Sequence, residues 1–178
     1  MLVANLSTSR MIDGLAARYP GAEVVRTPVG EANVVAAMKP MHALVGGEGN
    51  GGVIVPEVCW VRDSLASMAL VLDLLAAEGR PLGAVVADLP RYEMIKHKFE
   101  LASLGGVAAV EPAIERVKSA FRDQRLDASD GVRIDFADGW VHLRPSNTEP
   151  IVRLIAEART RERVWELVDE VAVAARLK

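Results

Sequence analysis

Short apolar runs alternate with stretches of helical spacing through the first 79 residues, and that alternation leaves few folds open. Leu2 to Leu6 is apolar enough for a strand. Ser9 to Tyr19 reads as a helix, with Met11, Ile12, Leu15 and Ala16 on one side and Pro20-Gly21 closing it. Glu23 to Arg26 is a second strand, and Glu31 to Lys39 a short helix that Pro40 is expected to stop. His42 to Val45 reads as a buried strand that enters a cluster of glycines at 46, 47, 49, 51 and 52, after which Val53 to Val55 resumes as a strand. Asp63 is placed to cap a helix in which Leu65, Met68, Ala69, Leu72 and Leu75 recur up to Gly79. This β-α-β-α-β order predicts a three-layer α/β/α domain with a mixed sheet over residues 1–90.

From residue 91 the pattern changes. Gly79, Arg80 and Pro81 open a connecting stretch that runs to Gly105-Gly106, and within it Tyr92 to Leu101 fits either an edge strand or a linker. Pro112 starts a helix carrying Ile114, Val117 and Phe121. Val132 to Phe136 and Trp140 to Leu143 are strands joined at Asp138-Gly139, a hairpin signal. Ile151 to Ala156 is a third strand, and a last helix carries Val164, Leu167, Val168, Val171 and Ala175. Helices beside an antiparallel sheet make a smaller α+β domain over residues 91–178.

Bulk properties narrow the function. Apolar residues make up 51% of the chain but aromatics only 4%, which suits helices packed on sheets better than an aromatic-rich barrel. The net charge is −3 and there is no basic run, so nucleic acid is disfavoured as a partner. Cys59 is the single cysteine, which excludes an internal disulfide and a CxxC metal site and fits a reducing cytoplasm. No apolar run reaches the ~20 residues of a membrane span, and Met1 to Arg10 lacks the pattern of a signal peptide.

Two loops carry chemistry. The first is Arg144-Pro145-Ser146-Asn147-Thr148-Glu149-Pro150, followed by Arg153. A phosphomonoester dianion wants hydroxyl donors, free backbone N–H groups and guanidinium forks; Ser146, Thr148, Asn147, Arg144 and Arg153 supply those types. The same residues also make an ordinary polar turn with solvated arginines. The second loop is Gly46-Gly47-Glu48-Gly49-Asn50-Gly51-Gly52. Its glycines allow close backbone approach, and in an extended stretch Glu48 and Asn50 would project to one side, a carboxylate and an amide matched to sugar hydroxyls. A flexible hairpin tip with a solvated Glu is the plainer alternative. No helix follows the glycines directly and no Lys follows them, so neither a dinucleotide fingerprint nor a Walker loop is present.

Together these loops resemble the α-D-phosphohexomutases, the phosphoglucomutase/phosphomannomutase family, in the form common among archaeal-type members. Arg-Pro-Ser-Asn-Thr-Glu-Pro with Arg153 is similar to the phosphate-binding loop of their fourth domain, and Gly-Gly-Glu-Gly-Asn-Gly-Gly to the sugar-binding loop of their third. Asn5-Leu6-Ser7-Thr8-Ser9-Arg10 and Thr27-Pro28-Val29-Gly30-Glu31-Ala32-Asn33-Val34 agree in order and spacing. The resemblance implies that Arg144, Ser146, Asn147, Thr148 and Arg153 bind a substrate phosphate and that Glu48 and Asn50 bind sugar hydroxyls.

It further implies an isomerase that interconverts hexose 1-phosphate and hexose 6-phosphate through a bisphosphate, using a phosphoserine in a first domain and magnesium held by a second. No serine here has the Thr-Ala-Ser-His-Asn setting and no Asp-x-Asp-x-Asp cluster exists, so no catalytic or metal-ligating residue is assigned. The chain reads as starting inside the third domain, after its opening helix. The expectation is a binding portion, inactive alone, with a hexose phosphate and the N-terminal domains as partners and neither nucleic acid nor membrane. The competing reading is a stand-alone sugar-phosphate-binding module without catalysis. Many relatives end the sugar loop with Ser-Gly-His; Gly52 stands at that position, so a His-mediated proton transfer does not carry over. Of His42, His97 and His142, only His142, two residues before Arg144, merits a test.

Overall fold

β1 (Leu2–Asn5) is the centre of the first sheet, parallel to β2 (Val24–Thr27) on one side and to β3 (Val45–Gly47) on the other. β4 (Val53–Ile54) closes the order β2-β1-β3-β4 and runs antiparallel to β3. Parallel neighbours need crossovers, and α1 (Met11–Ala16) and α2 (Glu31–Met41) supply them. The computed structural model describes residues 1–146 and 148–178, which fall into two units, Met1–Arg91 and Tyr92–Lys178.

In the first unit α2 buries Val34 and Met38 against Val3 and Ile54. α1 is shorter than the periodicity suggests: the Ser9 hydroxyl accepts from the Met11 N–H at 3.0 Å at its start, and the chain has left the helix before Pro20. α2, by contrast, runs through Pro40. In the last turn proline forfeits one N–H without interrupting the turns before it, and the helix ends on a Schellman motif instead. His42 takes the left-handed position (φ 48°), its N–H reaching Lys39 O at 3.3 Å and the Ala43 N–H reaching Met38 O at 3.1 Å. The expected strand at His42 is therefore a helix cap, and β3 begins only at Val45.

α3 (Ser64–Glu78) has the expected cap: Asp63 Oδ1 accepts from the Leu65 and Ala66 N–H groups at 2.8 and 3.0 Å, and Gly79 ends the helix at φ 61°. None of its residues is buried; Leu65 and Leu72 are 72% and 67% exposed. A short helix, α4 (Leu82–Ala87), lies in what reads as a connection.

The second unit is a five-stranded antiparallel sheet in the order β5-β9-β8-β7-β6. β5 (Glu93–Glu100) occupies one edge, so the stretch from Tyr92 is a strand and not a linker. β6 (Arg125–Asp127), not foreseen, is the other edge; β7 (Val132–Asp135), β8 (Gly139–Pro145) and β9 (Ile151–Ala158) lie between. α5 (Val110–Ala120) starts ahead of Pro112, which falls in its first turn, where a backbone N–H has no helical partner anyway. α6 (Arg161–Ala175) is capped by Thr160, whose hydroxyl accepts from the Arg163 N–H at 3.3 Å. Both helices bury apolar residues against one sheet face, where Val117, Ile134, Val141, Leu143, Leu154, Leu167 and Val171 form the core. Gly139 does not adopt a left-handed turn. A Cβ there would lie 2.4 Å from Glu157 O, so this glycine makes room for β9. The two units thus show the expected α/β mixed sheet followed by an α+β antiparallel sheet. Among the described residues no helix is long and apolar enough to cross a membrane.

Candidate functional site

The glycine loop of the first unit is a tight turn. The Gly51 N–H bonds to Glu48 O and the Glu48 N–H to Gly52 O, both at 3.3 Å. Glu48 and Asn50 consequently do not project together as they would from an extended strand. The Glu48 side chain turns inward and is only 9% exposed. Its Oε1 accepts from Asn5 Nδ2 at 2.8 Å and from the Gly30 N–H at 3.0 Å, while Oε2 lies 3.6 Å from Arg62 Nη1. Asn50 is exposed, and its Oδ1 accepts from the Gly52 N–H at 3.2 Å.

Two cavities flank the loop. One, of about 180 Å³, is lined by Glu48 with β1, β3 and Thr8; the other, of about 540 Å³, is lined by Asn50, Gly52, Glu31 and Arg62. Arg62 Nε bonds to Glu31 Oε2 at 2.5 Å. That bond raises the guanidinium pKa and lowers the carboxyl pKa, so each keeps the other charged. The Arg62 chain also fills the space above Gly52, where a Cβ would meet its Cδ at 2.2 Å. The aliphatic stem of Arg62 therefore covers Gly52.

In the second unit the loop after β8 puts Arg144 and Arg153 directly opposite each other on adjacent strands. The Arg144 side chain is 6% exposed, and its Nε donates to Asp130 Oδ2 at 2.9 Å. Neither Nη group has an acceptor among the described residues. Arg153 Nη2 donates to Glu149 Oε2. The Ser146 N–H bonds to Ile151 O at 2.9 Å and fixes the base of the loop, and Thr148 is exposed. Asn147 lies outside the described residues.

The remaining histidines are structural. His42 caps α2, and His97 packs edge-on to Phe99 and Trp165. His142 is fully buried, with Nε2 at 2.7 Å from Asp130 O. Burial drives its pKa down to about 4, so the ring is neutral near pH 7 and donates to that carbonyl. Its place beside Arg144 is thus one of support for the Asp130 turn. Nothing in the local sequence pattern marks Asn5, Gly30 or Asp130 as holders; Asn5 acts on Glu48 across 43 positions. Among the described residues no three His, Cys, Asp or Glu side chains converge to hold a metal ion.

Comparison with known proteins shows the family to which the chain belongs. Residues 1–92 match the family description "Phosphoglucomutase/phosphomannomutase, alpha/beta/alpha domain III", and residues 95–174 match "Phosphoglucomutase/phosphomannomutase, C-terminal domain". A probable phosphoglucosamine mutase of Methanopyrus kandleri is 38% identical over 95% of this chain and 37% of its own length. A phosphoglucomutase/phosphomannomutase of Thermococcus kodakarensis is 34% identical over 95% of this chain and 36% of its own. The chain thus spans little more than a third of these relatives. A phosphoglucomutase/phosphomannomutase family protein of Burkholderia thailandensis shares the fold, with a TM-score of 0.77 at 24% identity over 98% of this chain and 37% of that one. The chain belongs to the phosphoglucomutase/phosphomannomutase family and is its C-terminal part, comprising the third and last domains.

Proposed function

We propose that this chain is the sugar- and phosphate-binding portion of a phosphohexomutase, an intramolecular phosphotransferase that interconverts hexose 1-phosphate and hexose 6-phosphate through a bisphosphate. The observation that carries the reading is the half-open Arg144 fork, held by Asp130 and abreast of Arg153 at the mouth of the 144–150 loop. A buried guanidinium with unfilled donors is poised for a phosphate. Arg144, Ser146, Asn147, Thr148 and Arg153 bind the phosphate that is not being transferred. Glu48 Oε2 and Asn50 bind sugar hydroxyls, with Glu48 oriented by Asn5 and Gly30.

Phosphoryl transfer itself needs a nucleophile and charge stabilisation. Both are expected from the N-terminal domains of the whole enzyme, with magnesium bound there, in the cytoplasm. The isolated chain binds without turnover.

The test is calorimetric titration of the chain with glucose 1-phosphate, glucose 6-phosphate and inorganic phosphate, repeated with Arg144→Ala and Glu48→Gln. Saturable binding that favours the esters, is lost in Arg144→Ala and loses its ester preference in Glu48→Gln supports the reading. Equal affinity for all three ligands in every variant refutes it.

A further inference from the structure

The sheet face turned away from α5 and α6 carries its side chains in rows across the strands. One row is Asp135, Trp140, Glu157 and Met94; the next is Arg133, His142, Ile155 and Lys96; the third is Arg144, Arg153 and Lys98. The acids of the first row have partners: Trp140 Nε1 donates to Glu157 at 2.8 Å, and Asp135 pairs with Arg133 of the second row at 2.9 Å. The third row sets three cations abreast, an arrangement that destabilises a sheet unless anions sit among them.

Two of those cations have an anion, Asp130 on Arg144 and Glu149 on Arg153. Lys98 and its neighbour Lys96 have none among the described residues, and both are exposed. Glu100, two residues further along β5 on the same face, forms no ion pair with Lys98 among the described residues. The charge that the loop arginines lack is therefore carried by β5. Lys96, Lys98, Arg153 and Glu149, with His97 and Ile155, line a cavity of about 210 Å³. That is below the ~300 Å³ of a pocket for a whole small ligand, and suits a single anionic group.

We propose that Lys98, with Lys96 beside it, completes the phosphate site from β5, and that Glu149 occupies the Arg153 fork until a phosphate displaces it. Each paired arginine is neutralised by its carboxylate, so the two lysines supply the positive charge that a phosphomonoester dianion requires. This rests on the phosphate-binding reading of the 144–153 segment and extends it to residues outside the loop. The motif contains neither lysine, because the sheet register brings them to Arg153 from more than fifty positions away.

The full chain is titrated with inorganic phosphate and with glucose 1-phosphate at two salt concentrations, unsubstituted and as Lys98→Ala, Lys98→Arg, Glu149→Gln and Arg153→Ala. All three side chains are exposed or half-exposed, so the fold is expected to survive, checked by circular dichroism. Lys98→Ala is expected to weaken both ligands about tenfold and to flatten the salt dependence, Lys98→Arg to restore most of the affinity, and Glu149→Gln to tighten both. Lys98→Ala affinities within about twofold of the unsubstituted chain, alongside loss in Arg153→Ala, would overturn the role of β5 and leave the loop as the phosphate site. Absence of saturable binding by the unsubstituted chain overturns the underlying reading and this one with it.

Discussion

His142 should make this protein acid-sensitive in a defined window. The ring is fully buried between Arg133 and Ile155 in its row, and burial lowers its pKa from the ordinary 6.5 to about 4. Above pH 6.5 the imidazole is neutral in both folded and unfolded chains and contributes nothing to the pH dependence. Below 6.5 the unfolded chain takes up a proton that the folded chain refuses, so stability falls as pH drops. The loss stops growing near pH 4, where the folded ring protonates as well. At ~1.4 kcal/mol per pH unit it reaches about 3 kcal/mol across that window.

The perturbation is His142→Gln, which keeps a donor for Asp130 O but does not titrate. Urea unfolding followed by tryptophan fluorescence, from pH 7.5 down to 4.5, gives the stability of both proteins. The variant is expected to be less stable by about 1 kcal/mol at neutral pH, from the poorer hydrogen bond and packing. The gap should close as pH falls and reverse near the acid end, because the carboxylates common to both chains cancel in the difference. Parallel stability curves would refute the argument, as would an imidazole proton resonance of His142 that titrates near 6.5.

Gly131→Ala should destabilise the protein by about 1–3 kcal/mol or more and weaken phosphate binding through the adjacent Asp130, because Gly131 has φ 67° and a Cβ there would lie 2.2 Å from Leu143 O. Thermal unfolding with and without phosphate checks both parts. Leu167→Ala, at a fully buried position on α6, should cost about 2–5 kcal/mol, whereas Leu72→Ala on exposed α3 should cost less than about 0.5 kcal/mol; chemical denaturation separates them. Asn5→Ala should release Glu48 and remove the preference for sugar esters while leaving inorganic phosphate affinity unchanged, as read by calorimetry; a matching loss for phosphate would show that Asn5 supports the fold and not the sugar contact.

The features legible in the chain were those set within a turn or two of backbone. Asp63 and Gly79 mark the ends of α3 because capping is a local hydrogen-bonding problem, and the spacing of Val164, Leu167, Val168 and Val171 gives the buried side of α6. Pro40 misled because a proline in a final turn does little harm, and the helix end was decided two residues later by His42. β5 stayed undecided because an edge strand lined with Lys96, Lys98 and Glu100 has the polarity of a linker until β9 pairs with it.

The same division runs through the candidate site. The residue types of the two loops match phosphate and hydroxyl chemistry, since a guanidinium has its donors and a carboxylate its acceptors wherever each is placed. Which atoms remain available is another matter. Asn5 and the Gly30 N–H commit one Glu48 oxygen, Asp130 commits one edge of Arg144, and Glu149 commits Arg153. Lys98 joins those arginines only through antiparallel register. Composition, caps and periodicity are properties of neighbours along the chain and can be seen in its order. Orientation, burial and charge balance arise between segments distant in sequence, so they come into being only when the sheets form.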